Sequence, residues 1–556
     1  MKIIECVPNV SEGRDRKVLD AIADAVRSVQ GVQLLDIDPG AETNRTVFTF
    51  VGDETSVAEA AFRLAARATE LIDMRRHRGA HARIGAVDVV PFVPVGGGAT
   101  MDDCIALAHA VGRRIGEELG IPVYLYERAA TRPERKSLAE IRKGEYEGLE
   151  AKLRDPAWAP DYGPARFVPA SGATVVGARP FLIAYNVDLN TTSRKAAHDI
   201  ALDIREQGRF QRDAEGKIVR DEQGNRLRRP GLLKAVRAVG WYIPEFGRAQ
   251  VSMNLTDYHV TPPHVAFETV RRLARERGLR VTGSEIVGLV PLEAVLMAGR
   301  HYAAAQGSPT GLPEPDLVEL ARLSLGLDDV KPFDPGEAII DYRLRPRSAG
   351  LRASSVTGFV DELSRSSPAP GGGSAAALAG ALGAALCSMV AALTHSPGAA
   401  DAARLDEWGR RAQEIKDRLL AAIDADAAAF EGIRAARRLP RKTDEQRQAR
   451  ERALVEATRR AIEVPLGVVE DAAEAAALAR ELAEAGLAAA ASDAGSAAWC
   501  ARAAGEAAAL NVRINLPGLP DASERGEWTS RLEEALARLR SRAEAAVELS
   551  AERAGA

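Results

Sequence analysis

The chain reads as a multidomain protein in which two α/β (α+β) sandwich subdomains precede an all-α helical bundle. Three observations predict this. A length of 556 residues is too great for one ordinary core, and at about 100 to 200 residues per domain it divides into three or four units. Up to about position 330, short alternating β-branched runs interleave with segments of helical periodicity. From about Leu351 the strand signals stop, and alanine-rich helical spacing takes over, as in DAARLDEWGRRAQEIKDRLLAAIDADAAAF. The expected boundaries are 1–180 and 181–330 for the two mixed subdomains, a linker at 331–352 holding KPFDPG and RPRSAG, and a helical domain at 353–556.

The elements follow in order. IIECVPNV is a strand, 16–29 a helix, VQLLDID and TVFTFVG strands, and 55–72 a second helix, which is a β-α-β-β-α rhythm. A strand from Val87, a helix over 101–119 and the strand PVYLYE extend it into a layered domain. Prolines at 91 and 94 suit an edge or a strand end for the Val87 strand. Residues 156–177 read as a turn-rich segment. The second unit opens with the strand FLIAYNVDL and a helix over 193–207 that Thr192 or Ser193 can cap. Strands VGWYI and AQVSMNLTDY, a helix at 264–277, LRVTGSEIVGLVP and a helix at 292–306 complete it, and IIDYRL adds a possible final strand. Turn signals at Glu215-Gly216 and Gly224-Asn225 make 213–229 an exposed hairpin insertion without chemistry.

Composition excludes several classes. A formal net charge of −4 provides no global basic field for nucleic acid. Cys6, Cys104, Cys387 and Cys500 are scattered without metal-type spacing, which argues against a disulfide framework or a zinc site and points to a reducing cytoplasm. The amino terminus reaches Glu5 before an apolar run of signal-peptide length forms and is expected to be mature sequence. Residues 374–393 have the length of a membrane span, but alanine and glycine contribute little transfer energy and no cationic flanks bracket them. A buried, closely packed helix is the expectation.

Two clusters of residues carry chemistry. In HARIGAVDVVPFVPV, His81 stands where a strand begins, and an imidazole with a pKa of about 6.5 can take and return a proton near neutrality. His77, Arg75, Arg76, Arg78 and Arg83 crowd the same loop; they either hold an anionic substrate or are the ordinary charges of a solvated loop. Asp38 ends a strand at a Pro39-Gly40 turn, where its carboxylate faces a cleft or simply forms the turn. The second cluster is SSPAPGGGS at 366–374, IDADAAAF at 423–430 and NVRINL at 511–516. Three glycines opening a helix let backbone N–H groups approach an anion or a flat ring, although the lysine of a phosphate-binding loop is missing. Asp424 and Asp426 lie about 200° apart around a helix, so only one can enter a given cleft.

The segments CVPNVSEGRD, DIDPGAETNRTVFTFVG, HARIGAVDVVPFVPV, PVYLYE, GPARFVPASGATVVGARPFLIAYNVDL and IVGLVP, in that order, resemble glutamate formimidoyltransferase. The helical tail resembles formimidoyltetrahydrofolate cyclodeaminase, and nearly the whole chain is similar to the fused bifunctional family. The resemblance implies His81 as the transferase's proton acceptor, Asp38 as a substrate-orienting carboxylate and Asp426 as the cyclodeaminase's catalytic residue. It also implies a folate site made of Gly163, Pro164, Ala165, Arg166, Phe167, Val168, Pro169, Ala170, Ser171 and Gly172. The implied substrates are N-formimino-L-glutamate and tetrahydrofolate, the latter a co-substrate that can be polyglutamylated, in histidine degradation and without a metal. A homo-oligomer is implied as well. A formyl or formimino transferase with a methenyltetrahydrofolate cyclohydrolase tail, or a folate-binding scaffold without turnover, remain as alternatives.

Overall fold

The computed structural model describes residues 2–79, 81–344, 350–367 and 369–555. Residues 345–349 of the expected linker and Pro368 of SSPAPGGGS lie outside the described residues. The chain divides into two compact units, Met1–Met297 with Arg322–Leu344, and Ala298–Ala321 with Arg345–Ala556.

The first unit opens with β1 (Ile3–Cys6), β2 (Asn9–Val10), α1 (Arg16–Arg27), β3 (Gln33–Gly40), β4 (Arg45–Gly52), α2 (Glu54–Leu71), β5 (Val87–Gly96), α3 (Met101–Glu118) and β6 (Val123–Glu127). Short helices α4 (Leu138–Arg142) and α5 (Leu149–Leu153) and strand β7 (Thr174–Ala178) follow. Asp15, Asp53 and Thr100 cap α1, α2 and α3 by accepting from first-turn amides, Thr100 within a capping box with Asp103. The sheet runs β3-β4-(β1 and β2)-β5-β7-β6, with β1 and β2 sharing one position and β7 parallel to both β5 and β6. Leu19 and Ile22 of α1, Val57 and Leu64 of α2, and Val111 and Ile115 of α3 close one face over Ile4, Phe48, Phe50 and Phe92.

Two sequence expectations change here. Residues 156–177 are not all turn: Val175 and Val176 are fully buried in β7, which joins β5 to β6. Strand β5 is central rather than an edge. Pro91 is tolerated there because it faces the break between β1 and β2, where its carbonyl accepts from Val7 N–H (3.2 Å) and a backbone donor is not required.

The same unit continues with β8 (Ile183–Leu189), α6 (Arg194–Ile204), β9 (Arg209–Phe210), β10 (Arg228–Arg229), β11 (Val236–Ile243), β12 (Arg248–Leu255), α7 (Pro263–Glu276) and β13 (Val281–Val287). These form an antiparallel sheet β11-β12-β8-β13 and a separate exposed hairpin, β9 with β10. Beyond them lie α8 (Leu292–Ala305), α9 (Glu314–Leu325), α10 (Pro335–Ala338) and α11 (Ile340–Leu344). IIDYRL is therefore helical; only Ile339 makes a strand-like bridge, to Val290. Helix α9 has no counterpart in the sequence reading.

The second unit holds α12 (Val356–Leu363), α13 (Gly372–Thr394), α14 (Ala402–Arg438), α15 (Asp444–Ala485), α16 (Ala491–Asn515) and α17 (Ala522–Ala554). Helix α13 is long and apolar enough to cross a membrane by length and composition, yet 56% of its most apolar window is buried inside the protein. Ala377, Ala384, Ala476, Ala498 and Ala504 are fully buried where the helices meet, since a methyl side chain lets backbones approach closely. The segment 298–321 is held to this bundle by Ser388 Oγ donating to the Gly311 carbonyl (3.2 Å) and by Thr310 N–H donating to Asp406 (3.1 Å).

Candidate active sites

The first site is built on the sheet face that turns away from α1 to α3. Along β4, Phe48 and Phe50 enter the helix-covered core, so the alternate residues Arg45, Val47 and Thr49 turn to the other face. Val47 is in register with Asn9 of β2 on one side and Asp38 of β3 on the other. Registered pairs share a face, so Asn9, Asp38 and Arg45 stand together. Asp38 does not end its strand: β3 continues through Pro39 and Gly40, because the turn to β4 is made by residues 41–44.

His81 is half-buried and its Nδ1 lies 2.7 Å from the Ala82 carbonyl. A carbonyl only accepts, so Nδ1 carries the proton and Nε2 keeps its lone pair. Burial lowers the His81 pKa below the usual imidazole value; the charges of Arg45 and Arg142 add to this, while the bond to Ala82 and the charge of Asp88 oppose it. The result is a neutral imidazole at neutral pH with a free basic nitrogen. Asp88 of β5 is fully buried, paired with Arg142 of α4, and accepts from Ile84 N–H at 3.0 Å.

The arginines that crowd the His81 loop are already committed to other partners. Arg75 binds Asp73 through two nitrogens (2.8 and 2.7 Å) and Arg83 binds Glu147 (2.6 Å) and Glu145 (2.9 Å). Arg76 lies 3.9 Å from Asp73, and Arg78 donates to the His77 carbonyl (2.7 Å). His77 itself is buried, with Nε2 2.8 Å from the Asn44 carbonyl. Of the two readings of this cluster, the geometry favours the structural one, because Arg75 and Arg83 are paired with carboxylates and Arg78 with a backbone carbonyl. Arg45, which sits elsewhere in the sequence, has no such partner among the described residues.

The segment 163–172 lies against Ile84–Ala86, in the stretch between His81 and the start of β5 at Val87, so His81 stands in a loop six residues ahead of the strand rather than at its first position. Gly172, at φ +70°, has no room for a side chain: a Cβ would stand 2.2 Å from the Ile84 carbonyl. Ala86 N–H donates to Ser171 O (2.8 Å), Ala173 N–H to Ile84 O (3.0 Å), and Met74 N–H to Ala170 O (2.8 Å). The loop folds on itself through Gly172 N–H to Val168 O (2.8 Å), and Tyr146 donates to Pro169 O (2.5 Å) while its ring centre lies 5.4 Å from that of Phe167. Gly163, Ala165, Arg166, Pro169 and Ala170 are exposed, and Pro164, Phe167 and Val168 half-buried. Ser171 is buried, and its hydroxyl has no hydrogen-bond partner among the described residues.

The second site stands at the amino terminus of α13. Asp426 of α14 accepts from Ser374 Oγ (3.0 Å), and Gly373 clears the way: a Cβ there would be 2.1 Å from Asp426 Oδ1. Burial raises the Asp426 pKa above the ordinary carboxyl value, while the hydroxyl and backbone N–H of Ser374 pull it down. Asn511 of α16 points its amide nitrogen to within 3.8 Å of where a Gly372 Cβ would be. The glycine turn, Asp426 and Asn511 thus converge from three separate stretches of sequence. Asp424 goes elsewhere, to Arg352 Nε at 3.3 Å. An apolar cavity of about 530 Å³ runs along α14 beside this site, lined by Ala425, Ala429, Gly432, Ala436, Ala457 and Arg460. Among the described residues, no group of three His, Cys, Asp or Glu side chains is arranged to hold a metal ion.

Residues 3–179 match the formiminotransferase domain, N-terminal subdomain; residues 184–345 match the formiminotransferase domain; and residues 355–534 match formiminotransferase-cyclodeaminase. The chain is 45% identical over 527 residues to the formimidoyltransferase-cyclodeaminase of Rattus norvegicus, covering 94% of this chain and 93% of that one. The chain belongs to the formimidoyltransferase-cyclodeaminase family. Its sheet-containing part is 42% identical over 301 residues to the glutamate formimidoyltransferase of Streptococcus pyogenes, covering 54% of this chain and 93% of that protein. A methenyltetrahydrofolate cyclohydrolase of Methylorubrum extorquens is 39% identical over 181 residues, which is 32% of this chain and 87% of that protein.

For a member of this family, the sequence reading left Asn9, Arg45, Asp88, Arg142, Gly373 and Ser374 without individual roles. Asp88 carried a signal, as a lone carboxylate inside the apolar run AVDVVPFV. Arg45 and Arg142 carried none, because nothing local separates a partnerless arginine from a paired one.

Proposed function

We propose that this chain transfers the formimino group of N-formimino-L-glutamate to N5 of tetrahydrofolate at His81, and then closes the product to 5,10-methenyltetrahydrofolate at Asp426 with release of ammonia. The observation that carries the reading is the protonation pattern of His81, whose Nδ1–H is held by Ala82 while Nε2 stays basic. As N5 attacks the amidine carbon, its proton passes to Nε2. The tetrahedral intermediate bears positive charge on its amidine nitrogens, which Asp38 stabilises across the sheet face. The bond from carbon to the glutamate nitrogen then breaks, and the imidazolium returns the proton to the leaving amine. Residues 163–172 supply the folate-facing wall, which is supported by their attachment to the Ile84–Ala86 segment that leads into β5.

In the second reaction N10 attacks the formimino carbon, and the amidine nitrogen leaves as ammonia with a proton from Asp426. A carboxyl whose pKa is raised by burial keeps a larger protonated fraction for that step. Four free cysteines support a cytoplasmic location. Exposed Leu382, Met389 and Leu393 of α13 and Trp499, Leu510 and Ile514 of α16 support assembly of copies through the helical unit.

Recombinant protein supplied with N-formimino-L-glutamate and tetrahydrofolate releases glutamate and ammonia on this reading; absence of both products overturns it. The likeness to a methenyltetrahydrofolate cyclohydrolase supports a second reading of the tail. Hydrolysis of methenyltetrahydrofolate without ammonia release from 5-formimidoyltetrahydrofolate would select it.

A further inference from the structure

Arg45 is half-buried, and its charge acts on His81. Among the described residues its guanidinium makes no hydrogen bond and no ion pair, and its Nε is buried without a partner. The carboxylates nearest in charge, Asp88 and Asp38, do not supply one. Asp88 is taken up by Arg142 and by Ile84 N–H, and Asp38 is exposed on the neighbouring strand with no bond to Arg45. Arg142, the other cation acting on His81, is neutralised by Asp88. Burial depresses the Arg45 pKa to about 10, with Arg142 also lowering it and Asp88 and Asp38 opposing, so the half-buried guanidinium is partly desolvated and still charged at neutral pH. A desolvated charge without a counter-ion is costly, and proteins keep one where a ligand completes it.

The position restricts the ligand. Arg45 begins β4 opposite Gly40, shares a sheet face with Asp38 and Asn9, and its charge reaches His81. It therefore borders the place where the proton moves rather than the rim of the loop. Between the two substrates, the amino-acid donor brings carboxylates within a few bonds of the reacting amidine carbon, whereas the folate's carboxylates lie at the far end of its tail from N5. A guanidinium offers parallel donors matched to a carboxylate.

We propose that Arg45 anchors a carboxylate of the amino-acid donor and thereby orients its amidine carbon toward the folate N5 beside His81. This rests on the transferase reading above. It assigns donor recognition to a residue remote from the arginine-rich His81 loop, whose Arg75 and Arg83 are paired with Asp73, Glu145 and Glu147.

The test uses the full chain and three variants, Arg45→Met, Arg45→Lys and Arg75→Met. Arg45→Met is expected to raise KM for N-formimino-L-glutamate about a hundredfold, the scale of removing one partner of a buried charge pair, with KM for tetrahydrofolate unchanged. Arg45→Lys recovers part of the loss, and Arg75→Met, which removes an equal charge from the loop, recovers nothing because it loses nothing. A formimino donor lacking the α-carboxylate and one lacking the γ-carboxylate identify the group held. One of them is poor for wild type, and Arg45→Met no longer distinguishes it from the parent donor. The unchanged KM for tetrahydrofolate reports that the transferase unit of each variant is folded, and turnover of supplied 5-formimidoyltetrahydrofolate reports the same for the tail. Titration calorimetry of L-glutamate into wild type and Arg45→Met keeps the inference separate from the reaction, since binding that depends on Arg45 supports it whatever the turnover. Equal KM and equal glutamate affinity in wild type and Arg45→Met overturn it, and failure of wild type to release glutamate while Arg45-dependent binding persists overturns only the transferase reading.

Discussion

The two sites use burial in opposite senses. His81 sits among charges, with Arg45, Arg142 and Asp88 all acting on it, while Asp426 stands in an alanine-rich bundle with a serine hydroxyl and a helix amide for company. In both places desolvation is the largest influence, and in both it disfavours the charged form. For an imidazole the disfavoured form is the acid, so burial leaves a base; for a carboxyl the disfavoured form is the base, so burial leaves an acid. On the function proposed above, one physical effect applied to two residue types supplies His81 as the base for formimino transfer and Asp426 as the acid for ammonia release. On the same proposal the surroundings differ because the tasks differ: the transferase binds a charged donor, and the ring closure shelters one proton.

The sharpest way to break this comparison is to remove each group in turn. His81→Asn should lower glutamate release by about 10² to 10⁴ while turnover of supplied 5-formimidoyltetrahydrofolate continues. Asp426→Asn should lower ammonia release by a similar factor and let the 5-formimidoyl product accumulate, detectable by chromatography of the folates. If either substitution silences both reactions, the sites are not independent and the contrast fails.

Gly373→Ala comes next in size. Its methyl would meet the carboxylate of Asp426 at 2.1 Å, so the carboxylate must leave its place on α13. Overpacking of this kind costs about 1 to 3 kcal/mol, and ammonia release should fall about tenfold or more, with glutamate release untouched in the same preparation.

The pH profiles of the separate reactions sharpen the comparison further. A base with a lowered pKa loses function as acid protonates it, so kcat/KM for glutamate release should fall on the acid side, with its limb below the usual imidazole value of about 6.5. An acid with a raised pKa loses function as alkali ionises it, so the fall in kcat/KM for ammonia release should come on the alkaline side, above the usual aspartate value of about 3.9. Limbs of the same sign in both reactions would show that one of the two roles is reversed. The smallest effect concerns Ser374. Its hydroxyl favours ionised Asp426, so Ser374→Ala should move the alkaline limb of ammonia release to higher pH and leave the transferase profile where it was.

Much of the molecule was legible in the chain. Strand and helix periods are written locally, so β3, β4, β6 and the helices α1, α2, α3 and α7 fall within a few residues of their expected places. Strand β7 was hidden, since TVVGA follows a run of prolines and glycines and is held by pairing on both sides rather than by its own propensity. Pro91 misled for a related reason. A proline argues for an edge only where a neighbour needs its amide, and here the facing chain is broken at Val7 and Pro8.

The sequence by itself determined the order of the elements, the switch to an alanine-rich bundle, the family, and the residue types offered for chemistry, because each of these depends on local pattern or on long collinear motifs. It showed that Asp424 and Asp426 must diverge, since helix geometry needs no partner to be known. Only the tertiary structure decided which partner each received: Arg352 for Asp424, and Ser374 with the Gly373 clearance for Asp426. It also decided which arginines are spent. Arg83 is held by glutamates 62 and 64 residues away, whereas Arg45, whose charge acts on His81, has no partner among the described residues, and a charge balance of that kind is set by contacts across the sheet rather than along the chain.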